Sequence, residues 1–327
     1  MTGELDALLI RLRAAGERTR LRILYLLGCG ELNVKDLTLV LGQSQPRVSR
    51  HLKLLSEAKL VERHREGNSV YFRPSQEAAA LELTDLIARL LPSGDAVIRN
   101  DLSRLEAVRH NRAREAQAYF DGHAGEWDSI RALHIAEDKV EAAMLELAGP
   151  GPFPAMLDLG TGTGRVLELF APKINSGIGV DLSPEMLAVA RTKLAEAGLN
   201  HCQIRQGNLM DLPYQDHSQD LITLHQVLHF FDNPQPVLNE AARLLAPGGR
   251  LLVVDFAPHE LEFLREQHAH RRLGFSDAQM RAWLADAGLD VAAHTELHRF
   301  GRTPEGNLTV QLWLGAPAGA PQPTIDE

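Results

Sequence analysis

A glycine-rich segment followed by an acidic residue is the part of the chain best suited to chemistry. Residues 156–164 read Met-Leu-Asp-Leu-Gly-Thr-Gly-Thr-Gly, and Asp181 lies seventeen residues beyond the last glycine. Glycines at a strand-to-helix turn let a ligand approach the backbone, and the helix that follows offers unpaired N–H groups. An acidic residue at the end of the next strand is placed to accept hydrogen bonds from a ribose. Together they predict a nucleotide-binding half of a doubly wound α/β sheet.

Apolar runs and turn residues predict the elements that position this segment. We expect helices over Arg165 to Phe170 and over Ser276 to Gly288, with Ser276 as N-cap and Gly288 as C-cap. The expected strands are Ala155 to Leu159, Ser176 to Val180, Asp220 to Leu224, Arg250 to Phe256, and a final antiparallel pair, Leu289 to His298 and Asn307 to Gly315.

The spacing of the glycines indicates which class of nucleotide ligand the site would bind. A dinucleotide site favours G-x-G-x-x-G, whereas this chain has G-x-G-x-G preceded by Asp158. The pattern resembles motif I of the class I S-adenosylmethionine (SAM)-dependent methyltransferases, and the resemblance spans roughly residues 119–315. It implies a Rossmann-like sheet, SAM or S-adenosylhomocysteine (SAH) as cofactor, and Asp158 near the cationic amino group of the ligand. Tyr119-Phe120 and Trp127 resemble the lid of such sites.

A second segment, Gln206 to Pro213, resembles the adenine-contacting stretch of the same family. The family usually has an acidic residue where this chain has Asn208, whose amide oxygen can still accept a hydrogen bond from the adenine amino group. Leu209 would offer its backbone N–H to the ring. The residues that we expect to bind the cofactor are Asp158, Gly160, Thr161, Gly162, Gly164, Asp181, Leu182, Asn208, Leu209 and His225.

No catalytic residue is assigned. His225 and His229 follow the fourth predicted strand and are candidates for a general base. Methyl transfer can also proceed largely through proximity and alignment, so a base is not obligatory.

The first ninety residues carry a different pattern, that of an α+β winged helix-turn-helix. Leucines recur at helical spacing before Val34, a short helix covers Val34 to Leu41, and Ser44 caps a helix over Gln45 to Glu57. Two β-like runs, Val61 to Arg65 and Ser69 to Arg73, flank Glu66-Gly67-Asn68 as a hairpin wing.

The amino-acid sequence of this region closely resembles the ArsR/SmtB family of repressors, above all over Pro46 to Leu55 and Ala58 to Val61. Val48, Leu52 and Leu55 recur at i, i+4 and i+7, which places them on the core face. The resemblance implies binding to double-stranded DNA as a homodimer on a palindromic operator. The residues that we expect to contact DNA are Gln45, Arg47, Ser49, Arg50, Lys53, Arg63 and Arg65.

Charge is distributed unevenly. Residues 1–76 carry 13 Lys and Arg against 8 Asp and Glu, whereas the remainder carries 21 against 35, within a chain of net charge −9. A basic end on an acidic protein is where a polyanion would dock.

Metal sensing, which is common in the repressor family, is not expected. The family's thiolate positions are occupied by Asn33 and Lys35, Cys29 stands alone, and the stretch Gln76 to Leu91 holds no histidine. The fourteen histidines include no H-E-x-x-H pattern. Arsenite methylation needs several thiolates, and the second half offers only Cys202.

We expect a DNA-binding and dimerisation domain over residues 1–91, a helical linker over 92–118, a methyltransferase domain over 119–315 and a disordered tail over 316–327. Leucine stripes before residue 13 and over Leu81 to Leu91 are typical of a dimer surface. Two cysteines, the lack of a signal peptide and the lack of a long apolar run predict a cytoplasmic protein that does not enter membranes.

Two functions follow from the whole chain. The first is a DNA-binding transcriptional regulator whose methyltransferase-like domain binds SAM or SAH as effector; the resemblance extends to fusion regulators associated with the SAM/methionine cycle. The alternative is an active small-molecule methyltransferase with an autoregulatory DNA-binding domain.

Overall fold

The structure is a computed structural model, and it describes residues 4–30, 32–66, 69–75, 77–92, 94–123, 137–298 and 308–318. The chain divides into two units, Met1–Arg114 and Glu115–Glu327. The division falls inside a long helix, further along the chain than residue 91. It lies there because Leu105 of that helix is 2% exposed and packs in the core of the first unit.

The first unit has a helix-turn-helix followed by a hairpin. Its helices are α1 (Glu4–Ala15), α2 (Arg18–Gly28), α3 (Val34–Leu41), α4 (Gln45–Glu57), α5 (Ala78–Leu90) and α6 (Ala96–His123), which continues into the second unit. Its strands β1 (Leu32–Asn33), β2 (Val61–Glu66) and β3 (Ser69–Pro74) pair antiparallel in the order β1-β3-β2. The β2–β3 pair confirms the predicted wing.

The turn between α3 and α4 is set by local residues. Asn33 caps α3 by accepting a hydrogen bond from the Asp36 N–H at 2.9 Å, and Gly42 ends it at φ 63°. Ser44 occupies the N-cap of α4 as predicted, but its side chain makes no capping hydrogen bond, so that part of the prediction was wrong. Pro46 supplies a helical φ in the first turn instead.

The second unit is built on a seven-stranded sheet in the order β6-β5-β4-β7-β8-β10-β9. Neighbours from β6 to β8 pair parallel, and β10 is antiparallel to both β8 and β9. The predicted doubly wound sheet with an antiparallel final pair is confirmed. The strands are β4 (Phe153–Leu159), β5 (Ile174–Asp181), β6 (Cys202–Gln206), β7 (Gln219–His225), β8 (Leu245–Phe256), β9 (Leu289–His298) and β10 (Thr309–Pro317).

Helices cover both faces of this sheet. Alternate residues of β4 enter different cores: Met156 packs on one side, and Leu157 and Leu159 pack on the other, each at most 1% exposed. Burial of both faces is what a parallel sheet requires. The helices are α7 (Glu137–Ala148), α8 (Arg165–Phe170), α9 (Pro184–Glu196), α10 (Gln235–Leu244), α11 (Phe263–Gln267) and α12 (Asp277–Asp286).

Two predicted ends differ from the structure. The C-cap of α12 is Ala287, and Gly288 is the next residue, with φ 81°. Strand β10 extends two residues into the expected tail, because Ala316 and Pro317 pair with Asp290 and Leu289. Asn307 and residues 319–327 lie outside the described residues. Within the described part of the chain, no helix has both the length and the apolar character needed to cross a bilayer.

Candidate functional site

The carboxyl ends of β4, β5 and β7 meet at the point where the strand order reverses. Leu159 of β4 lies opposite Val180 of β5 on one side and Leu224 of β7 on the other. In open α/β sheets, ligands bind in the crevice at such a switch point. The predicted site residues that follow these strands are therefore brought to one edge of the sheet.

The loop after β4 is held in place by backbone hydrogen bonds. The N–H groups of Gly160 and Thr161 donate to the carbonyl of Val180 at 2.8 and 3.0 Å. Gly164 has φ 82°, and a Cβ there would lie 3.2 Å from the Cβ of Ala190 in α9. A side chain at this position would strain the backbone and crowd α9, which explains the glycine immediately before α8.

Asp181 links the end of β5 to this loop. Its Oδ2 accepts from the N–H of Gly162 at 2.9 Å, and its Oδ1 accepts from the N–H of Ser183 at 2.9 Å. A carboxylate has about four acceptor positions, so it can accept more than one hydrogen bond on each oxygen. The residue expected to bind a ribose therefore also fixes the glycine loop.

Asp158 is buried between two strands, with 1% of its surface exposed. The Thr223 hydroxyl of β7 donates to its Oδ1 at 2.7 Å, because Asp158 and Thr223 are register partners. Sequence reasoning did not find Thr223, which carries no local signal of this contact. Asp158 is thus held to the neighbouring strand two residues before the first glycine of the loop.

The segment after β6 joins the same edge. The Gly207 N–H donates to the carbonyl of Asp181 at 3.0 Å, and Asn208 is exposed. The Asn208 Oδ1, the expected acceptor for adenine, already accepts from the Met210 N–H at 3.1 Å. Leu209 is 4% exposed, and Leu182 is 46% exposed.

An ion pair on α10 holds the continuation of that segment. Glu240 accepts from the Leu212 N–H at 2.7 Å, and Arg243 donates to the carbonyls of Leu212 and Tyr214 at 3.1 and 3.0 Å. Arg243 also bonds Glu240 at 2.6 Å and Asp216 at 2.5 Å. Hydrogen bonding from Arg243, the largest cause, lowers the pKa of Glu240 below its ordinary 4.5. These two residues are a second pair that sequence reasoning missed.

Of the two candidate bases, His225 ends β7 opposite Val254 and is partly exposed. His229 is 2% exposed, and its Nδ1 lies 2.7 Å from the Oδ1 of buried Asp255. The His229 ring stacks on that of His270, with centroids 4.0 Å apart. The Asp255 carboxylate holds the His229 ring in one orientation, as a partner carboxylate does for a histidine that acts as a general base.

The candidate DNA-binding face lies on α4. Val48, Leu52 and Leu55 are at most 1% exposed, which confirms the predicted core face. The opposite face exposes every α4 residue expected to contact DNA: Gln45, Arg47, Ser49, Arg50 and Lys53. On the wing, Arg63 is exposed and Arg65 lies on β2.

His51 lies on α4 beside Glu17, with 3.5 Å between Nδ1 and Oε2. Burial, the largest cause, lowers the pKa of His51 below its ordinary 6.5, and Arg20, Arg47 and Arg50 act in the same direction against Glu17. Burial therefore favours the neutral imidazole, whereas the pKa of Glu17 is lowered, which favours its charged carboxylate.

Apolar side chains lie exposed on α1 and α5 of the first unit. Leu5 is 71% exposed and Leu90 is 72% exposed, and the others are Leu8, Leu9, Ile10, Leu12, Leu81 and Leu86. Of the predicted stripe on α5, Leu83 and Ile87 instead pack against the core of this unit.

Three further predictions concern a metal site, the pair Tyr119-Phe120, and Trp127. The described residues hold no group of three or more His, Cys, Asp or Glu side chains placed to bind a metal. Tyr119 and Phe120 lie on α6. Trp127 lies outside the described residues.

Comparison with known proteins finds a family match to a segment of each unit. Residues 17–63 match the family described as bacterial regulatory protein, arsR family, and residues 157–253 match the methyltransferase domain family. The first match covers α2 to β2, and the second covers the glycine loop and the strands beside it.

Curated relatives match the second unit. The uncharacterized methyltransferase YcgJ of Bacillus subtilis is 37% identical over 173 residues, which are 50% of this chain and 66% of that protein. The ubiquinone/menaquinone biosynthesis C-methyltransferase UbiE of Ruegeria sp. is 29% identical over 153 residues, 45% of this chain and 61% of that protein. The chain thus spans less than two thirds of the length of these relatives.

A solved Haloferax volcanii complex that contains the Trm112 methyltransferase activator is similar in fold. The TM-score is 0.50 with 24% sequence identity, over 61% of this chain and 97% of the matched chain. This likeness concerns the fold alone.

Proposed function

This chain is an ArsR-family helix-turn-helix segment fused to a methyltransferase domain, and from that premise we propose that it is a dimeric transcriptional regulator with SAM or SAH as its effector. Genes of the SAM/methionine cycle are the targets that the resemblance implies. The proposal has three parts: ligand binding by the second unit, operator binding by the first, and a connection between them.

Ligand binding is supported by the geometry at the switch point. The glycine loop after β4, the Asp181 carboxylate that receives its Gly162 N–H at 2.9 Å, and the segment around Asn208 form one continuous edge. A backbone that approaches closely, a ribose acceptor and an apolar surface are what an adenosine-containing ligand needs.

Operator binding is supported by the exposed polar face of α4 and the surplus of basic residues before residue 77. Residues near the start of such a helix reach base edges, and the others position the phosphates. A second copy of this chain is the proposed partner for the exposed leucines of α1 and α5. A symmetric dimer binds a palindrome whose half-sites lie about one helical turn, or a multiple, apart.

Helix α6 is the observation that carries the effector role. It runs without interruption from Ala96 to His123, across the division between the units after Arg114. At its first turns, Asp101 is 1% exposed and receives two hydrogen bonds from Arg22 of α2, at 2.5 and 2.6 Å. The helix therefore begins in the core of the first unit, and its residues after Arg114 belong to the second.

The same helix reaches the turn of the helix-turn-helix. Arg104 donates to the carbonyl of Val40 at 3.3 Å, and Arg22 donates to that of Leu41 at 3.4 Å. These carbonyls end α3 next to Gly42, and α4 begins three residues later. A shift of α6 on ligand binding would reach α4 through this turn.

The experiment is a titration of operator duplex, recovered by repeated selection from random-sequence DNA, against the full chain with SAM, with SAH and without ligand. We expect SAH to change operator affinity most, and each tenfold effect needs a preference of about 1.4 kcal/mol between two conformations. Arg50→Ala is the control for the DNA face: it should bind weakly in all three states, with a shallower salt dependence. Equal affinity of the wild type in all three states would refute the effector role.

The alternative function, an active small-molecule methyltransferase, is favoured by the buried His229–Asp255 pair and by the relatives whose names describe methyltransferases. Turnover of labelled SAM with small molecules from a cell extract, together with operator affinity that ignores the ligand, would support it over the regulator.

A further inference from the structure

We propose that the DNA face of the first unit contains a proton-binding site, the imidazole of His51 beside the carboxylate of Glu17, and that operator binding takes up a proton there. This inference rests on the proposed operator binding by α4. It adds to that function a dependence of operator affinity on pH.

His51 lies on α4 among the residues expected to contact DNA. It follows Arg50 directly and lies four residues after Arg47, and both arginines are exposed. Residues four apart on a helix are neighbours on its surface. Both arginines already act electrostatically on the imidazole. Phosphates bound by them would therefore lie close to His51.

The His51 ring is largely enclosed by protein. Its side chain is 14% exposed, and its Nδ1 lies 3.5 Å from Oε2 of Glu17. This nitrogen is buried and makes no hydrogen bond with the described residues, which is costly for the neutral ring. In the protonated ring Nδ1 is a donor, and the carboxylate becomes its acceptor once the two atoms approach to hydrogen-bonding distance.

Glu17 is held in place for this contact. It caps the first turn of α2, where its Oε2 accepts from the Arg20 N–H at 3.1 Å. The Arg20 guanidinium donates to the carbonyls of Ala14 and Arg13 at the end of α1. The carboxylate is thus anchored beside the imidazole by the backbone.

In the free protein the surroundings favour the neutral imidazole. Burial, the largest cause, lowers the pKa of His51 below its ordinary 6.5. Glu17 raises this pKa, and three arginines lower it: Arg20, Arg47 and Arg50. The other elements that pack against α4 carry further charges, Arg11 and Arg13 on α1, Lys35 and Asp36 on α3, and Glu62 and Arg63 on β2.

DNA changes this balance. Duplex DNA carries one negative charge per about 1.7 Å of its axis, so phosphates on Arg47 and Arg50 offset two of the charges that oppose protonation. Closure of the interface also removes water, which disfavours the charged ring, but only 14% of the side chain remains to be covered. The phosphate charge therefore decides the sign, and the pKa of His51 rises on binding.

A pKa that rises on binding makes binding stronger as the pH falls. Protons are taken up between the lower pKa of the free protein and the higher pKa of the complex, and outside that interval this group has no effect. The free pKa lies below 6.5, so the interval begins below 6.5 and ends at the pKa of the complex. Within it, affinity changes by up to about tenfold per pH unit for each proton taken up.

The test is calorimetry of the full chain with the operator duplex recovered by selection, in pairs of buffers that differ in ionisation enthalpy. The difference in heat between two buffers counts the protons taken up. We expect about half a proton or more per protomer at about pH 6.5, and an affinity that rises by about threefold or more from about pH 8 to about pH 6.5.

Three variants assign the proton. His51→Gln keeps a polar side chain without the titration, so it should bind with about the wild-type affinity at pH 8 and lose the uptake. Glu17→Gln keeps an acceptor for the Arg20 N–H but removes the charge, so its rise in affinity should begin at a lower pH. His110→Gln is the matched control: His110 is exposed on α6, and the variant should keep the wild-type uptake.

Two results would overturn the inference while leaving operator binding intact: a wild type that takes up no proton at the lower pH, or a His51→Gln variant with the wild-type uptake. If His51→Gln did not fold, a Glu17→Gln variant whose affinity rises at the wild-type pH would overturn it as well. Failure of the wild type to bind the operator at either pH would instead refute the proposed operator binding, and this inference with it.

Discussion

Asp181 shows how one residue can serve both the ligand and the loop that receives it. Its two oxygens accept backbone N–H groups from Gly162 and Ser183 in the protein alone. We expect Asp181→Ala to weaken SAH binding by about 1.5–3 kcal/mol, since a charge-assisted contact is lost. Calorimetry on the full chain measures this effect.

Two further variants separate the roles of Asp181. Asp181→Asn keeps one side-chain acceptor and should lose less affinity than Asp181→Ala. Asp290→Ala removes an exposed carboxylate from β9, remote from the switch point, and should bind as the wild type. If Asp181→Ala bound SAH as tightly as Asp290→Ala, the ribose assignment would be wrong.

The sequence predicted residues with a local signal and not those whose contacts depend on register. Asp158 and Asp181 stand out because each adjoins glycines or ends an apolar run. Thr223 donates to Asp158 only because β4 and β7 are aligned residue by residue, and Asp255 reaches His229 across 26 positions. No pattern within a short window contains that alignment.

At the scale of elements, the Glu240–Arg243 pair of α10 holds the segment that follows β6. Glu240→Ala leaves the buried Leu212 N–H without its acceptor, which costs about 1–3 kcal/mol. Glu240→Gln keeps an acceptor oxygen and should cost less. Urea unfolding followed by tryptophan fluorescence measures the difference, because Trp127, Trp283 and Trp313 all belong to the second unit.

The same pair makes stability depend on pH. The folded pKa of Glu240 lies below its ordinary 4.5, so its contribution is present above that value and is lost as the pH falls through the lower, folded pKa. The wild type should therefore lose more stability on acidification below 4.5 than Glu240→Gln does. Parallel losses in both proteins would show that Glu240 does not carry this effect.

Element ends were predictable where a local stop signal exists. Helices α3 and α8 and strand β9 have the predicted bounds, and glycine or asparagine adjoins at least one end of each. The end of β10 was missed because Ala316 and Pro317 look like tail residues and are ordered by pairing with β9. Leu105 packs into a core formed by residues far earlier in the chain, which no local pattern indicates.

For the whole molecule, the contacts of α6 make a prediction about coupling. Arg104→Gln removes the donor to the Val40 carbonyl from an exposed side chain, so the fold should survive. We expect operator affinity without ligand to change little, and the effect of SAH on that affinity to shrink by about tenfold, or 1.4 kcal/mol. Operator titrations with and without SAH give both quantities.

Arg99→Gln is the control for charge. Arg99 is exposed on the same helix, and the substitution removes the same charge about one and a half turns from Arg104. It should retain the wild-type effect of SAH. An unchanged SAH effect in Arg104→Gln, beside a responsive wild type, would place the connection elsewhere in the chain.

The seam between the two units runs through the middle of a helix, after Arg114. A helix advances about 1.5 Å and turns about 100° with every residue, so the join carries an angular phase. One residue inserted at the seam would turn the rest of α6 by that angle, whereas seven inserted residues, about two full turns, would nearly restore it.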